Sequence, residues 1–392
     1  MITVFSAGIG EYPSTNYPEL EWLKGNDVVT TADYASKASD SEYKRTNLTL
    51  KCLNWILDGN YVQFTGQGKN PLRLEAFKEL QQAVQELFTE CPYQLTPDQL
   101  TATMRAALVL GDIGLSPKGK ALFPELGHIS DHDEFYKEAL CILGQEPSRC
   151  PTFKALPLEA QNLLIKTSHF AHYGHICHVE GGPSMFSKIA AVHTPNDAYC
   201  LKFDLFIHCC DVAGAAGHVD DSYSIVYSNQ VHEAMQAIVR TCQSIIQNGL
   251  SKEEGLMEYL RYRGAKLGLS ADDLTERALI RVGCMLRLYT LEEGQALKAA
   301  ADNLEQDLLE AFDPMISREG PTPTYMPAVL CNLKRHHNLD YAVQKGLPAI
   351  ANTLKACPGE LNFNPLAAQI NEYPRCLESS ETIEAFIRSN SR

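Results

Sequence analysis

Apolar residues recur along most of the chain at the spacing of helices rather than of strands. Residues 48–56 carry leucine and isoleucine at intervals that fit one helix face, and Gly59-Asn60 ends that segment. Pro71 opens a longer segment through Leu87, in which apolar positions keep the 3.6-residue period over four turns. Alternating runs typical of strands are few. The pattern therefore predicts an all-α protein.

Further helices are predicted downstream, and several of them begin at a recognisable capping residue. The segments are 133–144, 157–173, 200–214, 228–249, 252–268, 271–288 and 291–312. A Ser or Thr hydroxyl just before a helix accepts a hydrogen bond from its first turn. This predicts N-caps at Thr96, Ser251, Ser270 and Thr290, with Asp273 at the capping-box position after Ser270.

The chain is predicted to contain three parts. Residues 1–47 are polar and turn-rich, which favours an irregular N-terminal arm. Residues 48–250 form a helical domain, and residues 251–392 form a helical C-terminal extension packed on it. Within the domain, the small residues of the stretch 213–217 predict a close approach between two helices.

Composition and charge restrict the classes of partner. The 392 residues include 34 Lys and Arg against 48 Asp and Glu, which gives a formal net charge of −14. A surface this acidic repels phosphate backbones and anionic lipid headgroups. We therefore expect neither a nucleic-acid duplex nor a membrane as partner, although a local basic pocket for one small phosphate ester remains compatible with the charge.

Cysteine usage and hydropathy indicate the compartment. The 13 cysteines form no C-x-x-C pair and no tight framework, which favours free thiols in a reducing environment. The chain contains no run of about 18 apolar residues, so the sequence predicts no membrane-spanning helix. The expected location is the cytoplasm, or the cytosol of another cell into which the protein is delivered.

Histidine is concentrated in the middle of the chain. Ten of the 12 histidines lie between His128 and His232, interleaved with Asp and Glu. Imidazole and carboxylate together supply ligands for Mn, Fe, Ni, Zn or Mg, and they also form acid–base pairs near neutral pH. The alternative for any one of these histidines is an ordinary polar surface group.

Four motifs in this region occur in a suggestive order. Leu-Gly-Asp-Ile-Gly at 110–114 ends an apolar helix, and Asp-His-Asp-Glu follows at 131–134. Residues 172–183 then bring three histidines and Glu-Gly-Gly-Pro, and His-Cys-Cys-Asp at 208–211 lies in an apolar helix. Helices that each turn one such group inward can converge on a single ion in a bundle core.

This order resembles the HD-domain metal-dependent phosphohydrolase superfamily over roughly residues 50–240. The resemblance implies an HD-like helical bundle with additional C-terminal helices. It also implies a phosphohydrolase or phosphodiesterase that acts on a small phosphorylated substrate or a phosphate-linked protein. Such a protein could also use His and Glu as acid and base without metal, a solution that resembles the phosphodiesterase domains of bacterial effectors that act on phosphoribosyl-linked ubiquitin.

The resemblance also assigns roles to individual residues. A divalent metal ion, if the protein uses one, would be held by Asp112, His132 and Asp211. Catalytic roles would fall to His175, His178, Glu180 and His208. Substrate would be contacted by Lys118, Lys120 and Gln67.

The chain departs from the family pattern at two ligands. No histidine precedes His128, so the upstream ligand is absent, and Gly111 stands where the first histidine of the His-Asp doublet belongs. One alternative is therefore a catalytically degenerate HD-like module that binds a nucleotide or a protein partner. Another is an unrelated helical protein whose histidines bind metal or nothing.

Two local expectations concern charge. A histidine beside Glu180, either His175 or His178, should have a raised pKa that suits a general acid. Arg261, Arg263 and Lys266 form a small basic group, which either neutralises a substrate phosphate or covers a solvated helix face.

Overall fold

The protein is all-α, as its apolar pattern predicts. The computed structural model describes residues 17–25, 40–68, 70–129, 131–167, 170, 172–317, 323–357, 361–378 and 380–390. It is 73% helical, and the described residues contain no strand. Most of the predicted N-terminal arm, residues 1–16 and 26–39, lies outside the described part. Its described part is more regular than predicted, because residues Pro18–Leu23 form a 3₁₀ helix and the first α-helix begins at Ser41.

The chain folds into two compact units. The first contains the described residues up to Phe170 together with Val192–Glu233, and the second contains those of Ala171–Ala191 and Ala234–Arg392. This division does not follow the predicted ranges 48–250 and 251–392, because residues 171–191 and 234–250 group with the C-terminal helices. The whole histidine-rich segment 172–183 therefore belongs to the second unit, whereas the motifs at 110–114 and 131–134 belong to the first.

The first unit contains nine α-helices among its described residues, and a tenth, α12, begins in it. They are α1 Ser41–Leu57, α2 Tyr61–Thr65, α3 Leu74–Thr89, α4 Pro97–Gly111, α5 Pro117–Leu122, α6 His132–Leu143, α7 Pro151–Ala155, α8 Leu158–Thr167 and α11 Pro195–Gly214. Helix α12, Asn229–Asn248, has its first five residues in the first unit and the rest in the second.

The second unit contains the remaining described helices. They are α9 Tyr173–Cys177, α10 Ser187–Ala190, α13 Lys252–Leu267, α14 Leu274–Met285, α15 Leu291–Ala301, α16 Gln306–Glu310, α17 Met326–His336, α18 Leu339–Tyr341, α19 Leu347–Ala356, α20 Asn364–Glu372 and α21 Ser380–Asn390. A π-helical turn, Ala342–Gly346, continues α18 into α19.

Helix α11 forms the centre of the first unit and packs against α1, α3 and α4. The predicted close approach is confirmed, since a Cβ at Gly214 would overlap Thr49 of α1. Three residues after Gly214, a Cβ at Gly217 would come within 2.5 Å of the Lys44 carbonyl oxygen. The glycines let two backbones approach where any side chain would hold them apart.

Three of the four predicted capping residues are confirmed as N-caps with reciprocal capping boxes: Thr96, Ser251 and Thr290. The prediction at Ser270 is wrong, because α14 begins three residues later with Asp273 as its N-cap. Asp273 accepts from the backbone N–H of Glu276 at 2.8 Å. The Glu276 carboxylate in turn accepts from the N–H of Ser270 at 2.7 Å, so Ser270 lies in the approach to the helix.

Two further findings concern membrane-spanning helices and the cysteines. None of the described helices combines the length and the apolar character that a membrane crossing requires. All 13 cysteines are free thiols.

Candidate functional site

Residues from four helices of the first unit form a cluster of charged groups, which we call the acidic cluster. Its members are Glu42 and Arg45 on α1, Asp112 after α4, His132 and Asp133 on α6, and Asp211 on α11. Glu42 is buried and the other five are half-buried. Three of the six, Asp112, His132 and Asp211, are the predicted metal ligands.

Asp112 owes its position to the end of α4, where Gly111 is the last helical residue. The Thr46 hydroxyl lies 2.7 Å from Asp112 Oδ2 and donates to it, which ties this carboxylate to α1. A Cβ added to Gly111 would meet no atom within 4 Å. The position that resembles the family's histidine therefore has room for a side chain.

Arg45 provides positive charge within the acidic cluster. Its Nη1 lies 2.8 and 2.9 Å from the two carboxylate oxygens of Glu42, and its Nε donates to the Ala215 carbonyl at 3.1 Å. Although burial disfavours its charged form, three carboxylates raise the pKa of Arg45. They belong to Glu42, Asp112 and Asp211. The guanidinium thus already balances part of the negative charge.

The carboxylates of the cluster nevertheless exceed its cations. Burial and then the charge of Asp112 raise the pKa of Asp211 to about 7, although Arg45 opposes the rise. Asp133 raises the pKa further and His132 lowers it. A carboxyl that retains a proton near neutral pH in the presence of a guanidinium shows a local excess of negative charge.

The start of α6 brings three potential ligands close together. Among the residues that the structure describes, one trio of His, Cys, Asp or Glu has ligand atoms within 4.8 Å of one another, and it consists of Asp131, His132 and Asp133. Asp131 also caps α6 by accepting from the N–H of Glu134 at 2.9 Å. His132 Nε2 lies 3.7 Å from Asp133 Oδ1.

The donor set of the acidic cluster fits a divalent cation. It offers carboxylate oxygens and one imidazole, which suit Mg, Mn, Fe or Zn. It also carries the excess of negative charge that a cation would neutralise. The predicted ligand His132 belongs to both the trio and the cluster, so the two sets adjoin.

The predicted catalytic residue His208 lies on helix α11, as Asp211 does. It lies three residues before Asp211 and is half-buried, so both residues share one side of the helix. Asp204 lies one turn earlier, and its charge, with that of Asp133, adds to burial in raising the pKa of Tyr136 on α6. The polar side of α11 thus continues toward α6.

The three predicted substrate-binding residues also lie in the first unit. Lys118 and Lys120 are on α5, where Lys118 is exposed and Lys120 is half-buried. Gln67 is exposed in the turn that follows α2. Their contact with a substrate stays a prediction.

The predicted catalytic residues His175, His178 and Glu180 belong to the second unit. His175 is 1% exposed, and its Nδ1 lies 3.6 Å from Glu180 Oε2. The same oxygen accepts from the backbone N–H groups of Thr324 and Tyr325 at 3.0 and 2.9 Å. Glu180 therefore ties the segment after α9 to the residues that precede α17.

This arrangement fixes Glu180 as an anion. Burial alone would raise its pKa, but the hydrogen bond and charge of His175, with the charges of His178 and His172, lower the pKa of Glu180 to about 2. At neutral pH the carboxylate is ionised and committed to buried donors. Its environment is that of a structural anchor between two segments.

The expectation of a raised histidine pKa is wrong for His178. Burial and then the Arg287 guanidinium lower its pKa to about 3, and Arg263 adds to the effect. Glu180 acts in the opposite direction but does not overcome them. We call His178, Arg263 and Arg287 the cationic cluster. The His178 imidazole is neutral at pH 7, so it does not hold the proton that a general acid must donate.

The basic group of α13 is divided by the fold. Arg263 is 1% exposed, whereas Arg261 is exposed and forms an ion pair with Asp272 at 3.0 Å. The alternative of a solvated helix face therefore fits Arg261 and Lys266, which are both exposed, but not Arg263. A second arginine, Arg281, is 0% exposed and donates from Nε to the Val179 carbonyl at 2.9 Å.

Sequence reasoning missed Glu42 and Arg45 of the acidic cluster, and also the arginines Arg281 and Arg287 of the second unit. Glu42 and Arg45 fall in a polar stretch assigned to the irregular arm, although their spacing of three fits an ion pair on a helix. Arg281 and Arg287 lie in an otherwise apolar helical stretch, 278–288, where a charge signals a buried partner. That signal was available from the sequence.

Comparison with known proteins gives a family without an assigned activity. No curated protein and no solved structure matches the chain. A family match extends over residues 23–355, which includes both clusters. The chain belongs to the family of unknown function DUF6829.

Proposed function

We propose that the acidic cluster of the first unit binds a divalent cation and hydrolyses a phosphate ester or phosphodiester. The observation that supports this is that Asp112 and His132 both lie close enough to Asp211 to change its pKa. These residues come from segments far apart in sequence, and the HD-domain resemblance assigns the same three to a metal ion. The substrate class is a small phosphorylated molecule or a phosphate-linked protein.

The charge of the cluster makes a cation necessary for such a substrate. Carboxylates that already repel one another would repel a phosphate group as well. Arg45 does not remove this repulsion, since its guanidinium is paired with Glu42 and Asp211 still has a raised pKa. When bound, a divalent cation supplies Lewis acidity toward a phosphoryl oxygen.

Residues of the chain itself orient the site and supply proton transfer in this proposal. Thr46 holds one carboxylate oxygen of Asp112 in place. His208 lies on the same side of α11 as Asp211, where it would protonate the leaving oxygen. Lys118 and Lys120 would contact a phosphate from α5, and Gln67 would do so from the turn after α2.

The test is hydrolysis of bis-p-nitrophenyl phosphate by the full chain. The chain is first freed of metal and then supplied with Mn²⁺, Mg²⁺, Fe²⁺, Ni²⁺ or Zn²⁺ in turn. We expect metal-dependent turnover that Asp112→Asn and Asp211→Asn each reduce about a hundredfold or more. The matched control is Asp98→Asn, because Asp98 is exposed in the first turn of α4 and should leave turnover unchanged.

Two results would contradict the proposal. Saturable metal binding at Asp112 and Asp211 without turnover would favour the catalytically degenerate HD-like module that binds a nucleotide or protein partner. Absence of both metal binding and turnover would reject the HD-like assignment of this cluster.

The roles of His175, His178 and Glu180 in catalysis remain a separate part of the proposal. Alanine at His175 and at His178, assayed beside alanine at the exposed His193, tests them. Because His175 is buried against Glu180, lost turnover counts as catalytic only when circular dichroism shows an unchanged fold. Equal turnover in all three variants would assign the pair a structural or binding role.

A further inference from the structure

One face of α1 is turned toward the acidic cluster and carries Glu42, Arg45 and Thr46. Residues three and four positions apart are neighbours on a helix surface. The Thr46 hydroxyl marks the direction of this face, because it lies 2.7 Å from Asp112 Oδ2 and 3.0 Å from the Glu42 carbonyl oxygen. Among the charges that act on the Glu42 carboxyl are those of Asp112 and His132, two predicted metal ligands. Glu42 is therefore a further carboxylate close to the proposed cation.

The Glu42 carboxylate is buried and is paired with Arg45 through both of its oxygens. The Glu42 side chain is 0% exposed, and Arg45 Nη1 lies 2.8 and 2.9 Å from Oε1 and Oε2. Burial raises the pKa of Glu42, and the charge of Arg45 opposes the rise. A buried carboxylate needs such a partner, because an ion removed from water is costly unless it is paired. A guanidinium does not lose its proton in proteins, so Arg45 is a permanent cation.

Arg45 is itself held against the end of α11. Its Nε donates at 3.1 Å to the carbonyl of Ala215, the residue that follows the last helical residue, Gly214. Helices α1 and α11 lie in close contact at this point, since a Cβ at Gly214 would overlap Thr49. The guanidinium is therefore fixed between the Glu42 carboxylate and the end of α11.

We propose that Arg45 is a positioning residue that keeps the Glu42 carboxylate out of the coordination sphere of the divalent cation. The inference rests on the cation binding proposed above for Asp112, His132 and Asp211. Each carboxylate ligand that a site contributes raises its affinity for a divalent cation. A catalytic metal site, however, needs an open coordination position for water or substrate. By holding Glu42, Arg45 makes the site weaker in cation affinity and more open than its residue types would allow.

The experiment is calorimetric titration of the metal-free full chain with Mn²⁺. We expect Arg45→Met to bind Mn²⁺ at least about tenfold more tightly than the wild type, because it frees the Glu42 carboxylate and removes a positive charge. Glu42→Gln should bind at least about tenfold more weakly, because it leaves the charge of Arg45 unbalanced. The double variant loses both charges together and should bind within about threefold of the wild type.

A gain in affinity separates this role from a merely structural one, since distortion of the site would weaken binding. Arg45→Lys keeps a cation beside Glu42 and should restore the affinity of the wild type. The matched control is Arg149→Met, which removes an arginine from an ion pair of the same spacing in the first unit, 2.8 Å from Glu146. It should bind Mn²⁺ as the wild type does.

The role of Arg45 is overturned if Arg45→Met binds Mn²⁺ no more tightly than the wild type, or if the double variant binds as tightly as Arg45→Met. Should Arg45→Met fail to fold by circular dichroism, Glu42→Gln decides, and an affinity equal to that of the wild type would reject the proposal. Absence of Mn²⁺ binding in every variant rejects this inference together with the cation site. The expected affinities without turnover would count against hydrolysis alone.

Discussion

Each unit places a buried or half-buried carboxyl among charged groups, Asp211 in the first and Glu180 in the second, yet the pKa of the two carboxyls shifts in opposite directions. In the first unit, burial and Asp112 raise the pKa of Asp211 to about 7. In the second unit, the hydrogen bond and charge of His175 overcome burial and lower the pKa of Glu180 to about 2. One carboxyl can hold a proton at neutral pH and the other cannot. The neighbours of a carboxyl, rather than its residue type, decide which chemistry it can perform.

The clusters also differ in how their charges are satisfied. In the acidic cluster one guanidinium is shared by several carboxylates, which leaves room for a cation. In the cationic cluster the Arg263 guanidinium is held by carbonyl and hydroxyl oxygens. A guanidinium is therefore satisfied by carboxylate oxygens in the first unit and by uncharged oxygens in the second.

The largest effect should come from Glu180. Glu180→Ala leaves the N–H groups of Thr324 and Tyr325 without their acceptor and removes the carboxylate beside the buried His175, and we expect a loss of about 3–5 kcal/mol in the free energy of unfolding. Urea unfolding followed by circular dichroism measures it. Glu292→Ala, at an exposed position of α15, should change the same quantity by less than about 0.5 kcal/mol. A loss of similar size in both variants would show that Glu180 is not an anchor.

Gly111 allows the cation preference of the acidic cluster to be sharpened. Because a Cβ there meets no atom within 4 Å, Gly111→His should fold and add an imidazole beside Asp112. We expect Zn²⁺ or Mn²⁺ to bind about tenfold more tightly, as an added ligand would provide. Calorimetric titration measures the change, with Gly111→Ala as the variant that adds no ligand. Unchanged affinity would place residue 111 away from the cation.

The pH dependence of the first unit should follow Asp211. Its folded pKa of about 7 lies above its ordinary value of 3.8, so its stabilising contribution is present below pH 4 and is lost as pH rises through 7. In metal-free protein, Asp211→Asn should therefore be more stable than the wild type at pH 8. Allowing for its partial exposure, we expect a gain of about 1–2 kcal/mol. Thermal unfolding at pH 5 and 8 checks this, and an equal effect at both values would refute it.

The second unit should show the opposite slope through His178. Its folded pKa of about 3 lies below its ordinary value of 6.5, so stability is lost as pH falls from 6.5 toward 3. Glu180 adds a second loss, as its contribution is present above pH 4.5 and disappears as pH falls toward 2. His178→Gln should reduce the loss between pH 6.5 and 4.5, while His193→Gln should not. Parallel acid profiles in the wild type and both variants would contradict this account.

The fold class was predictable because helices form from local patterns. The 3.6-residue period of residues 71–87 predicts the long helix α3, which starts three residues after Pro71 at Leu74. Thr96 caps α4 because its hydroxyl and Gln99 satisfy the first turn within four residues of each other. The prediction that Ser270 caps the next helix was wrong because Asp273, three residues later, caps that helix instead.

Part of the acidic cluster was also predictable, because the resemblance supplies an order of residues that a helical fold can bring together. Asp112 raises and His132 lowers the pKa of Asp211, so both lie near it, and their role as metal ligands stays a prediction. The role of Arg45 was not predictable, since no local pattern shows that its guanidinium lies among carboxylates of other helices. The pKa of His178 was misjudged because the adjacent Glu180 is visible in the sequence, whereas Arg263 and Arg287 approach only in space.

The sequence alone determined the helical class, the helix starts that depend on short-range caps, the acidic charge balance and the residue types capable of chemistry. These properties depend on neighbours within a few positions along the chain or on composition. The tertiary structure decided which carboxyl can keep a proton, which histidine stays neutral and which arginine is buried. Each of these depends on desolvation and on charges brought together from distant segments, because Coulomb energy and burial follow distance in space.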